Sequence, residues 1–211
     1  KNTVYSFEYN NIQSLENIIK KKNIGIVKME VCRDELPKNN FLGKVKNICK
    51  KNKIILIFDE CTSGFRLNNG GLHLKYKVIP DMAIFGKALG NGYPINAIIG
   101  KKEIMRAKAN TFISSTFWSE RAGYAAAIAT LKIMKKIKSW KIITKNGKFI
   151  KFHLKKIAKK HNLKLKILGL SSLIKYEIIS DNWGIYRKYI IDEMLKENIL
   201  GTNNIYVSIY H

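Results

Sequence analysis

Two oppositely charged residues, each just beyond a short apolar run, are the first candidates for chemistry in this 211-residue chain. Asp59 ends Ile54-Ile55-Leu56-Ile57-Phe58, and Lys87 follows Met82-Ala83-Ile84-Phe85 after a single glycine. Seven of the 14 glycines lie between residues 59 and 100, so tight turns punctuate the chain around the pair. In a parallel α/β sheet the carboxyl ends of neighbouring strands open on a common crevice, where an acid and a lysine can reach one ligand from two sides. A lysine whose pKa is lowered by burial beside other positive charge becomes a nucleophile toward an aldehyde and a carrier of protons. The expected ligand is therefore an aldehyde.

The elements that must position this pair alternate between helix and strand. Residues 13–22 place Leu15, Ile18 and Ile19 on one helical face and feed an apolar strand over 24–31. Phe41, Leu42, Val45, Ile48 and Cys49 recur at helical spacing, which predicts a helix over 41–51 before the strand of 54–58. That strand is continuous in apolar residues, as expected when both faces are covered. A glycine-bearing loop over 61–78 precedes a short strand at 82–85, and another strand is expected at 95–99. One or two helical turns over 103–108 and a loop over 111–117 lead to a long helix at 120–138. Amphipathic segments follow, chiefly 149–161, with strands at 163–168 and 173–179, a helix at 186–197 and a last strand at 205–210. This order points to an α/β fold, with a mainly parallel sheet and helical crossovers, plus a smaller α+β region.

The stretch 56–66, LIFDECTSGFR, and the stretch 80–97, PDMAIFGKALGNGYPINA, agree in order, spacing and glycine positions with one family. The chain resembles the class III pyridoxal-phosphate-dependent aminotransferases, closest to the branch that includes glutamate-1-semialdehyde aminomutase. Ser115-Thr116-Phe117 and the C-terminal run Asn203 to Ser208 extend the likeness over nearly the whole chain. The resemblance implies fold type I, the cofactor pyridoxal 5′-phosphate, a small-molecule amino donor and acceptor, and a homodimer. It implies that Lys87 forms the Schiff base with the cofactor and relays the substrate proton, acting as nucleophile and base. It makes Asp59 the carboxylate facing the pyridine nitrogen, so that the ring draws electrons from the substrate carbon. Cys61 falls where relatives usually pack a valine or isoleucine on the ring. Thr116 falls on a threonine that binds the cofactor phosphate from the neighbouring subunit, although Trp118-Ser119-Glu120-Arg121 replaces the Gly-Asn-Pro of many relatives. Glu30 matches a glutamate near the cofactor, with Val31 in place of the usual proline.

Glu35 is a further candidate on the substrate side, and Arg66 is expected to steady the glycine loop. The family fold is about twice this length, so the chain reads as incomplete at its start: residues 1–137 as the C-terminal half of the large domain, and 138–211 as a small domain incomplete at its end. An inactive fragment or scaffold of the same fold is the alternative. Aminomutase and transaminase are not separated by these residues.

The net charge of +24 raises a rival reading. No acid lies between Glu120 and Glu177, while fifteen lysines fall from Lys132 to Lys175. Such a block could bind phosphate backbones. Lysines outnumber arginines 34 to 5, however, and arginine is what bidentate phosphate recognition favours, so a nucleic-acid partner is not expected. His73, His153, His161 and His211 are scattered without metal-ligand spacing. Three cysteines with no CxxC pair argue for a reducing, cytoplasmic setting, and no apolar run is long enough to span a membrane.

Overall fold

The computed structural model describes residues 3–211. Helix α1 (Ile12–Lys21) starts where the Asn11 side chain accepts a hydrogen bond from the Ser14 backbone N–H, and it buries Leu15. Strand β1 (Ile26–Glu30), helix α2 (Phe41–Lys51) and strand β2 (Ile55–Asp59) follow, then a 3₁₀ turn (Leu72–Tyr76), strand β3 (Met82–Phe85), a second 3₁₀ turn (Lys87–Leu89) and strand β4 (Ala97–Gly100). The four strands form one sheet in the order β1-β2-β3-β4; β1, β2 and β3 are parallel and β4 runs antiparallel to β3.

Helix α2 lays Phe41, Leu42, Val45 and Cys49 on this sheet, because residues one and two turns apart share a helical face. They close a core with Val27, Met29, Leu56 and Phe58. Fully burying a side chain of this size contributes roughly 1.5–3 kcal/mol, so this single face dominates the stability of the sheet. Burial along β2 alternates: Leu56 and Phe58 point into the core while Ile55 and Ile57 point away. The expectation of a strand covered on both faces is thereby corrected, because the described chain supplies a helical layer to one side.

The short helix α3 (Lys102–Met105) and a 3₁₀ turn (Arg106–Asn110) lead to α4 (Arg121–Ile137) and α5 (Ser139–Lys160). Lys138, in the left-handed region at φ 53°, separates these two helices. Strands β5 (Leu165–Leu168) and β6 (Leu173–Ile178), helix α6 (Trp183–Lys196) and strand β7 (Asn204–Tyr206) complete the chain. The second sheet is antiparallel, in the order β5-β6-β7. Ile143 of α5 packs there on Ile174 and Val207. Helix α5 is longer than its sequence suggests because Gly147 lets it lie against the backbone of Ser171, where an added Cβ would sit 1.7 Å from the carbonyl oxygen.

The turn between β5 and β6 also reaches the first core, to which Leu170 and Leu173 belong. Asp34 reinforces the junction: its carbonyl accepts from the Gly169 N–H at 2.8 Å and its carboxylate pairs with Lys175 at 2.8 Å. Among the described residues, no helix is long and apolar enough to cross a membrane.

Candidate active site

Strands β2 and β3 are adjacent and parallel, with Asp59 in register with Ile84. Asp59 therefore ends one strand beside the point where the next delivers Gly86 and Lys87. One Asp59 carboxylate oxygen accepts from the Cys61 N–H at 3.1 Å, and the other lies 3.1 Å from Lys28 Nζ. Burial alone would push the Asp59 carboxyl up, but the Cys61 N–H and the Lys28 ammonium outweigh it and hold the group below the usual carboxylate range. Asp59 is thus an ionised acid at neutral pH.

Lys87 donates from Nζ to Thr62 Oγ1 at 2.6 Å, and its backbone is left-handed at φ 40°. The turn after β2 thus makes two separate contacts, the Cys61 N–H to Asp59 and the Thr62 hydroxyl to Lys87. The half-buried Cys61 thiol is pushed up by burial and by Asp59, while Lys87 and Lys28 pull it down. Gly86 is forced by close approach, since a Cβ there would meet Asn96 Oδ1 at 2.3 Å and Cys61 Sγ at 3.1 Å. Lys87 itself is exposed, where burial was expected.

The remaining candidates are distributed differently. Glu30 is in register with Asp59 on the same face of the sheet; Arg33 Nη1 holds its Oε1 at 2.8 Å, while its buried Oε2 has no hydrogen-bond partner. Thr116 stands apart from this group, in the exposed turn of residues 116–119 ahead of α4. Glu35 pairs with Lys38 at 3.2 Å and accepts from Asn10, which makes it a clip within its own loop. Arg66 is half-buried, and burial lowers its guanidinium pKa.

Sequence reasoning missed Glu60. It is fully buried: its Oε1 accepts from the His73 backbone N–H at 2.9 Å and lies 2.9 Å from His73 Nδ1, and its other oxygen accepts from the Ser63 hydroxyl. This ties the loop after β2 to the 3₁₀ turn Leu72–Tyr76. The signal was present, since strand alternation turns the neighbour of an open-face Asp59 into the core, where an acid must find donors.

The donor set fits a cofactor that carries an aldehyde and a ring nitrogen. An accessible amine and an ionised carboxylate lie on neighbouring strand ends, separated by a glycine and a small thiol. The class III aminotransferase family model matches residues 12–205. The 3-aminobutyryl-CoA aminotransferase of Cloacimonas acidaminovorans is 30% identical over 99% of this chain and 52% of its own length. The glutamate-1-semialdehyde 2,1-aminomutase of Methanocaldococcus jannaschii is 36% identical over 66% of this chain and 33% of that protein. The PLP internal aldimine form of the FumI protein of Sphingopyxis sp. MTA144 superposes with a TM-score of 0.91 at 25% identity, over 98% of this chain and 52% of that one. The chain thus spans about half the length of the first of these relatives and of the superposed structure, and over that span it belongs to the class III aminotransferase family.

Proposed function

We propose that this chain carries the lysine and carboxylate of a pyridoxal-phosphate-dependent amino-transfer site. The observation that carries the reading is the placement of Asp59 and Lys87 at the ends of adjacent parallel strands, with the turn of Cys61 and Thr62 contacting both. Pyridoxal phosphate, when bound, supplies an aldehyde and a ring that withdraws electrons from an attached substrate carbon. Lys87 would supply the amine nucleophile and take and return a proton at Nζ. The Thr62 hydroxyl, which accepts from that amine, would limit its excursions. Asp59, ionised, would favour a protonated ring nitrogen facing it, for which Lys28 would have to release Oδ2.

Cys61 offers a small apolar surface beside the pair, and the unpartnered Oε2 of Glu30 supports a role for that residue at the same site. Thr116 is assigned to the cofactor phosphate across a homodimer interface. Its exposure, with Phe112, Phe117 and Trp118 exposed around it, supports that arrangement. The helix break at Lys138 supports a division into a larger region, 1–137, and a smaller one, 138–211. The substrates are small amino compounds, handled either by transfer between two molecules or by shifting the amino group within one. Three free cysteines favour a cytoplasmic setting.

The test is to mix the chain with pyridoxal phosphate, reduce with borohydride and map the modified lysine by peptide mass. Modification concentrated on Lys87 and lost in Lys87→Ala supports the assignment. Label spread evenly over the surface lysines, and unchanged in Lys87→Ala, overturns it.

A further inference from the structure

The outer face of α5 carries two large aromatic side chains among lysines and no acid. Eight of the 22 residues of this helix are lysines, and none is Asp or Glu. Lys151 turns inward and donates to the Gly169 carbonyl at 2.8 Å. The other seven are exposed, and among the described residues none of them forms an ion pair. The opposite side of the helix carries Ile143 and Gly147 against the second sheet and its turn, so the core takes up that side alone.

Lys145, Phe149, Phe152 and Lys156 stand four, three and four residues apart and form one stripe along the helix. Phe149 is 65% exposed and Phe152 63% exposed. His153 touches both rings, with centroids 4.2 and 5.3 Å away, so the three groups make one apolar knob. Beside the stripe lies an open cavity of about 430 Å³, lined by Leu67, Trp140, Lys141, Thr144, Lys145 and Lys148. Its three lysines are among the seven that face no acid, and Thr144 Oγ1 is buried without a hydrogen-bond partner.

Exposed phenylalanines within a block of uncompensated positive charge are unfavourable in two ways. A surface that is anionic outside and apolar just beneath relieves both. A nucleic-acid strand fits less well, because a groove with separate stacking platforms suits it and its phosphates favour arginine, of which α5 has none. We propose that the outer face of α5 lies on an anionic phospholipid bilayer, with Phe149 and Phe152 entering the headgroup boundary and Lys141, Lys145 and Lys148 holding a lipid phosphate in the cavity beside them. The lysine stems run along the apolar layer while their charges stay at headgroup level. This is contact with a surface and not a membrane span, and it is independent of the amino-transfer reading.

The test sediments the 211-residue chain with vesicles of equimolar phosphatidylcholine and phosphatidylserine, and with vesicles of phosphatidylcholine alone. The expected result is retention about ten-fold or more tighter on the anionic vesicles, falling as salt rises. Lys145→Glu with Lys156→Glu is expected to weaken it about ten-fold or more. Phe149→Ser with Phe152→Ser weakens it roughly five-fold at unchanged charge. Lys44→Glu with Lys188→Glu, at exposed positions of α2 and α6, makes the same change in net charge and has far less effect. Far-UV circular dichroism verifies that each variant is folded; should the phenylalanine variant misfold, the lysine pair decides. No retention of a folded chain on anionic vesicles overturns the proposal. So does an equal loss in the control pair, unaltered retention in a folded phenylalanine variant, or single-stranded oligothymidylate that displaces the vesicles from this face.

Discussion

Lys87 Nζ donates to Thr62 Oγ1 at 2.6 Å, and Thr62 lies only three residues beyond Asp59, so one short turn reaches both side chains. The acceptor that restrains Nζ is a neutral hydroxyl. Thr62→Val removes that restraint and keeps the volume. A hydrogen bond of this kind contributes about 1 kcal/mol, so modification of Lys87 by pyridoxal phosphate is expected to slow about five-fold, measured by stopped-flow absorbance, with the thermal midpoint unchanged.

Asp59→Asn separates chemistry from folding. The partner ammonium of Lys28 is more than half exposed, so losing the pair costs folding well under about 1 kcal/mol. On the proposed reading, amino transfer by the enzyme that carries this site is expected to fall about 10²-fold or more, since a neutral amide would not hold a proton at a facing ring nitrogen. A urea titration and a turnover assay read the two effects independently.

Asp81 anchors the start of β3 and sets an acid limit. Its carboxylate accepts from the Leu56 N–H at 2.9 Å and pairs with Lys46 at 2.9 Å and Lys101 at 2.7 Å. Burial opposes ionisation, but Lys101, the Leu56 N–H and Lys46 outweigh it and hold the group at about 2, against an ordinary 3.8. Because the folded value is the lower one, the stabilisation is present above pH 3.8 and is lost as pH falls from there through about 2. It amounts to about 2 kcal/mol. Chemical denaturation at a series of pH values should show this loss in the native chain and a flatter profile for Asp81→Asn.

Glu60→Ala strands two buried groups. The His73 N–H and the Ser63 hydroxyl lose their acceptor in a fully enclosed place, which predicts a loss of about 3 kcal/mol in a denaturant titration. His73→Ala, which keeps the backbone N–H on Glu60, is expected to cost less.

Gly147→Ala reverses an ordinary preference. Alanine gains about 1 kcal/mol over glycine in a free helix, but here the methyl group would meet the Ser171 carbonyl at 1.7 Å. Backbone on both sides cannot yield cheaply, so a net loss of about 2 kcal/mol is expected by calorimetry.

Much of this architecture was legible in the residues. Helix α2 lies where the spacing of Phe41, Leu42, Val45 and Cys49 predicts it, and the ends of β2 and β3 are legible because an apolar run meets a charge or a glycine. The open face was not. Ile55 and Ile57 are as apolar as Leu56 and Phe58, so composition cannot distinguish the side that α2 covers from the open one. The 3₁₀ turn Leu72–Tyr76 is too short for periodicity to register. Around the candidate site, Asp59 and Lys87 stood out by their settings, whereas Glu60 was hidden beside another acid and His73 gave no spacing signal. Their pairing arises from a loop folding back, which no local pattern encodes.

Cys61 carries one last implication. A thiolate adds to carbonyl carbon readily, and one lying beside Lys87 would intercept any aldehyde arriving there. Burial and the Asp59 carboxylate push this thiol up and so keep its sulfur protonated and quiet. On the proposed reading, one carboxylate would then face the ring nitrogen and also disarm its sulfur neighbour.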